Sequence, residues 1–224
     1  MTAMESMTAM HEVADRRRER QITTRRAIEA AAWKLARVKG IQATTVNEIA
    51  AETGISPSTF FRYFDTKEAA LYGNWRWQVD DLAKWIEKAD PALSPLEAIH
   101  FAVVNLSHTL EQQREAVMRA NEVFESSDRA RNYYYQVIRP TLEQSAVRML
   151  AAKFGMDPAS DPTPRMLAGV AFSALTAAIN VWIAREHSLL PMLTEQAFDA
   201  IKCETSPGSS RPRSGNHAAA RAVP

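Results

Sequence analysis

The chain of 224 residues carries 27 Lys and Arg against 26 Asp and Glu, a formal net charge of +1, with 46% hydrophobic and 24% charged residues. This composition excludes disorder throughout and a surface uniformly charged for nucleic acid, and it leaves ample core for one domain or two small ones. A single Cys, Cys203, excludes an intrachain disulfide framework and a cysteine zinc cluster and fits a cytoplasmic setting.

Seven Gly and little period-two alternation favour an all-α chain. The first residues repeat Met-Thr-Ala-Met without an apolar h-region, which argues against a signal peptide. Residues 1–20 read as a disordered basic arm. Over 11–26, six Arg against three acids give a local +3, which suits either a solvated charge run or a phosphate-contacting arm. Ile28, Ala31, Ala32 and Leu35 then follow helical spacing until Gly40 stops the helix.

Residues 44–71 carry the densest local signals. Thr45-Val46-Asn47-Glu48 is a capping box, Ile49 and Ala50 point inward, and Gly54 closes the helix. Ser56-Pro57 opens a second helix, with Ser as N-cap and Pro at the first position, and Phe60, Phe61 and Phe64 supply its core face. Asp65-Thr66-Lys67-Glu68 opens a third that runs into Leu71. Two short helices joined at a glycine are a helix-turn-helix, whose second helix presents its first residues to base edges in the major groove.

Farther along, Leu82, Trp85 and Ile86 mark a helix ending before Ala89-Asp90-Pro91, and Leu96, Ile99, Val103, Leu106 and Leu110 mark the next. Helices follow at 115–125, 128–154, 164–187 and 191–203, with a kink or split predicted at Pro140 and a break over Gly155–Pro164. Met166–Ala184 lacks charge and approaches the roughly 20 residues that span a bilayer. Its Ser, Thr, Asn and many small residues read instead as a buried interface helix, so no membrane partner is expected. Residues 204–224 are Ser, Pro, Gly and Arg-rich and read as a disordered tail.

The residues Gly40, Thr44-Thr45-Val46, Ile49-Ala50, Gly54-Ile55-Ser56, Thr59, Tyr63-Phe64, Lys67-Glu68 and Leu71 together resemble the DNA-binding domain of the tetracycline-repressor (TetR) family of transcription regulators. The resemblance implies a three-helix DNA-binding head over 21–71 and a helical ligand-binding and dimerisation body over 72–203. It also implies a homodimer joined through 164–187 and 191–203 on a partly palindromic double-stranded operator. By the same resemblance Thr45, Thr59, Tyr63 and Lys67 contact phosphates, and Val46, Pro57 and Ser58 face bases. Where the family usually has Tyr, this chain has Phe61; where it often has Phe, this chain has Ala36. A ligand-released repressor is the expected activity, and no enzyme.

Trp75, Trp77 and Trp85 suit an apolar link between head and body, with core packing the favoured reading, since aromatics at helical spacing are usually core. Asn105, His108, Asn121, Phe124 and Phe172 are the candidate lining of an effector pocket. The body's Phe, Trp, Met and Tyr suit a hydrophobic effector, and the chain resembles members with an acyl-CoA-type ligand domain. Glu97-x-x-His100 is half of a di-iron helical-bundle motif and defines the alternative, a helical-bundle enzyme or metal-binding protein. The second such pair is missing, so an exposed helix turn is the favoured reading, with no metal and no cofactor.

Overall fold

The computed structural model describes residues 3–73, 75–185 and 188–205, with side chains from Arg16 to Lys202. Every regular element among them is helical. In chain order these are α1 (Ala3–Lys39), α2 (Val46–Thr53), α3 (Pro57–Phe61), α4 (Lys67–Tyr72), α5 (Trp77–Lys88), α6 (Pro95–Gln112), α7 (Arg114–Ser126) and α8 (Asp128–Tyr133). A π-helical turn (Tyr134–Ile138), α9 (Arg139–Phe154), α10 (Thr163–Ala184) and α11 (Leu190–Thr205) complete the described residues.

The stretch read as a disordered arm, 1–20, is helical from Ala3 onward and continuous with the first head helix. Ala3–Lys39 contains neither Gly nor Pro and is rich in Ala, Met, Glu and Arg, so helix propagation meets no breaker. Apart from the end of α11, the tail expected over 204–224 lies outside the described residues.

Two cores form. The head core gathers Ile28, Ala32, Ile49, Phe60, Phe64 and Leu71, and the body contributes Val123 and Ala130 to it. The body core gathers Leu82, Ile99, Leu106, Leu150, Phe172 and Trp182 among others. Trp75 belongs to that core, with Trp77 and Trp85 packed partly buried against it.

Although α10 is long and apolar enough to cross a membrane, it buries Leu167, Ala171, Phe172, Leu175, Ala178 and Trp182 and touches α6, α9 and α11. The Arg114 guanidinium caps the Trp182 ring at 4.3 Å. The helix expected over 128–154 is divided, as Pro140 demands. Proline has no N–H for the i−4 carbonyl, and the chain widens to π-type bonding just upstream before α9 resumes with Pro140 in its first turn.

Candidate nucleic-acid interface

The start of α2 is fixed by a reciprocal pair of bonds. Glu48 N–H donates to the Thr45 hydroxyl at 3.4 Å, and Thr45 N–H donates to Glu48 Oε2 at 3.0 Å. Lys39 pairs with the same carboxylate from the end of α1. The Lys39 ammonium, followed by the hydroxyl and N–H of Thr45, pulls the Glu48 carboxyl from its usual 4.5 down to about 2. Gly54 ends α2 at φ 71°, in the left-handed region glycine enters without steric penalty, and its amide reaches back to the helix carbonyls.

Ser56 then caps α3, accepting from Thr59 N–H at 3.1 Å, while its hydroxyl lies 3.0 Å from that of Thr59. Pro57 and Ser58 stand exposed at the first positions of α3, and Thr59 is half-buried. Phe60 is fully buried beneath them. Phe61, expected to join the core face, is 53% exposed instead. Successive helical residues diverge by about 100°, so Phe60 and Phe61 cannot both point inward on a five-residue helix. Phe60 and Phe64 fill the core at 5.8 Å, and Phe61 meets Phe60 edge-on.

Thr45 is exposed beside this helix, and Val46 is half-buried against the head core. Tyr63 follows the end of α3, its carbonyl accepting from Arg25 Nη1 at 3.1 Å while the Arg25 guanidinium covers Phe64 at 4.1 Å. At the start of α4 the Lys67 ammonium donates to the carbonyls of Ile41, Gln42 and Thr44, each at 2.9 Å. Lys67 thereby ties α4 to the turn between α1 and α2. These carbonyls are neutral, so the three bonds bring no counter-charge. Thr45, Pro57, Ser58, Thr59, Tyr63 and Lys67 all lie on or beside the α2–α3 unit.

Helix α4 also joins head to body. Trp33 Nε1 donates to the Leu71 carbonyl at 2.9 Å, and the Tyr72 hydroxyl donates to the Ala130 carbonyl at 3.1 Å while its ring stacks on Tyr133 at 5.8 Å. Burial holds the Tyr72 hydroxyl well above the ordinary tyrosine range, hence protonated and able to donate. Gln42 bonds the Ser126 carbonyl, and the buried Glu68 meets Arg129 at 3.5 Å. Beside this joint a cleft of about 490 Å³ opens between α1 and α7, with Trp33 and Arg37 facing Arg114, Arg119 and Glu122.

The body candidates lie on three helices, α6, α7 and α10. Asn105 Nδ2 donates to the Phe101 carbonyl of its own helix, and His108 is exposed on α6. Asn121 and Phe124 are half-buried on α7, with Phe124 meeting Tyr134 and Tyr135 at 5.4 and 5.8 Å. Phe172 is buried on α10. A polar cluster absent from the sequence reading lies nearby: Arg139 bonds Glu143 at 2.7 Å and Ser173 at 3.3 Å. Its only sequence signal is the i, i+4 spacing of Arg139 and Glu143, which many surface helices share. Glu97 is committed to a capping box with Ser94, whereas His100 faces Glu195 at 2.7 Å and packs on Phe198. Both groups of the alternative reading thus have structural partners.

Residues 28–71 match the family profile described as bacterial regulatory proteins, tetR family, and residues 93–205 match the MftR C-terminal domain profile. No curated protein matches the sequence. Among solved structures, the FadR repressor of Thermus thermophilus, crystallised with lauroyl-CoA, is 19% identical with a TM-score of 0.53, over 85% of this chain and 99% of that one. NalD, a repressor of a multidrug efflux pump in Pseudomonas aeruginosa, is 19% identical with a TM-score of 0.54, over 79% and 96%. At such identity these likenesses show the fold.

Proposed function

Since the chain belongs to the tetR family of bacterial transcription regulators, we propose that it is a ligand-released repressor acting as a homodimer on a partly palindromic operator. The observation that carries this is the exposure of Pro57 and Ser58 on a capped α3 whose inner face is locked by the fully buried Phe60. Short side chains there let the backbone approach the major groove. With Val46 they read bases through apolar contacts and DNA shape, while Thr45, Thr59 and Tyr63 hold phosphates and Lys67, its three N–H groups given to the turn carbonyls, attracts them by its charge.

Two copies pair through α10 and α11 and set two α3 helices on successive major grooves, about 34–36 Å apart. The effector is hydrophobic, an acyl chain or acyl-CoA. The lauroyl-CoA held by the Thermus FadR in the same fold supports this reading. Asn105, His108, Asn121, Phe124 and Phe172, carried on α6, α7 and α10, are the residues proposed to meet it, and Arg139 supplies a cation for an acidic head group. An effector that shifts α7 against the π-helical turn, where Phe124 meets Tyr134 and Tyr135, acts on α4 through Ala130 and Tyr133, the groups touching Tyr72. It releases DNA only by its different affinity for the two states, typically about 1–3 kcal/mol.

Pooled-oligonucleotide selection on the purified chain tests the reading. The expected product is a duplex with two-fold-related half-sites, bound less tightly once a medium-chain acyl-CoA is added. A chain that ignores duplex DNA at low ionic strength, or stays strictly monomeric, overturns it.

A further inference from the structure

Helix α1 does not stop where the head stops. Residues 16–23 are exposed at every position, so this part of the helix has no buried face in its own chain. A helix polar all round needs a partner or solvent on every side. From Arg16 to Arg26 the helix carries six Arg against Glu19 alone, the densest positive charge in the sequence. Its base is anchored at the recognition helix: Arg25 bonds the Tyr63 carbonyl at 3.1 Å, just past the end of α3, and covers Phe64. Arg18 lies seven residues before Arg25, on the same helix face and about 10 Å farther along the axis. Arg17 adjoins that face.

We propose that the exposed N-terminal part of α1, through Arg17 and Arg18, is a second DNA-contacting surface that grips phosphates beside the recognition helix. The inference rests on the DNA-binding reading above. Duplex DNA is the occupant because charge and place agree. Phosphates recur every 3.4 Å or so along each strand, and this helix extends from the edge where α3 ends. Ile22 is the only apolar residue in 16–23, so the segment presents no apolar face to a bilayer. Phosphate contacts carry no base information, so the surface adds affinity without adding sequence preference.

The test compares wild type with the double variant Arg17→Gln/Arg18→Gln on a selected duplex and on a scrambled duplex of equal composition, over a salt series. Gln keeps helix propensity close to Arg, and both positions are exposed, so the melting temperature is expected to hold. The double variant should bind both duplexes roughly 10- to 100-fold more weakly, with the log–log salt slope flattened by up to about 4 for a dimer. Arg17→Lys/Arg18→Lys should restore most of the slope. Wild type that binds no duplex defeats the DNA-binding reading itself. Wild-type binding with an unchanged Gln variant, or a Lys variant as weak as the Gln variant, overturns this inference alone. So does a Gln variant that binds both duplexes normally and loses only adhesion to phosphatidylserine vesicles.

Discussion

The Lys67 ammonium shows how one side chain is held by local structure before any partner arrives. Its three bonds to Ile41, Gln42 and Thr44 carbonyls fix the turn between α1 and α2. Lys67→Ala is therefore expected to lower stability by about 1–2 kcal/mol, since the partly exposed carbonyls regain water. It should also weaken binding to every duplex alike and reduce the salt slope by about 1 per head. Thermal melts together with a salt titration separate the two effects, and unchanged DNA binding rejects the phosphate role. Glu48 supplies a pH signature. Its folded value near 2 lies below the unfolded 4.5, so its contribution is full above pH 4.5 and lost as pH falls toward 2. The gap in melting temperature between wild type and Glu48→Gln should be constant at neutral pH and close over that acid window. A gap unchanged at pH 2.5 contradicts the assignment.

At the scale of elements, α2 and α3 are legible because their causes are local. Thr45 with Glu48, Gly54 and Ser56-Pro57 each act within one turn of chain, and the structure uses each as a cap or stop. What was not legible depends on contacts between distant segments. The outward turn of Phe61 follows from Phe60 and Phe64 winning the inner face, and the Arg139–Ser173 contact joins residues 34 apart. The arrangement of the body candidates is hidden for the same reason, since Phe124 and Phe172 sit on different helices whose spacing no local motif specifies. Phe61 also yields a prediction for the recognition element. Its ring is 53% exposed, so Phe61→Tyr adds a hydroxyl without disturbing the Phe60–Phe64 core. The variant is expected to fold as stably as wild type and to bind the selected duplex a few-fold more tightly, because a phenol can donate to a phosphate where phenyl cannot. Equal or weaker binding by anisotropy would place Phe61 away from the backbone.

At the scale of the whole molecule, the question is what covers the outer faces of α10 and α11. Met166, Ser173, Ala177 and Val181 form an exposed stripe along α10 at helical spacing, with Met166 56% and Val181 38% exposed. Leu189, just before α11, and Met192, in its first turn, extend it at 54% and 67%. Small residues on such a stripe let a second helix approach closely, and the apolar ones give it surface to bury. The opposite face of α10 is already committed to the body core through Leu167, Phe172 and Trp182, so a change at the stripe leaves that core intact. Ala177→Glu, which sets like charges against each other across a two-fold seam, should therefore yield a folded monomer with near wild-type helicity. A lone head reads one half-site, so affinity for the full operator should fall on the order of 100-fold, or about 2.8 kcal/mol, while half-site binding persists. Light scattering and operator titration measured on one preparation decide it: a variant that remains dimeric, or a monomer that grips the full operator as tightly as wild type, removes α10 from the assembly.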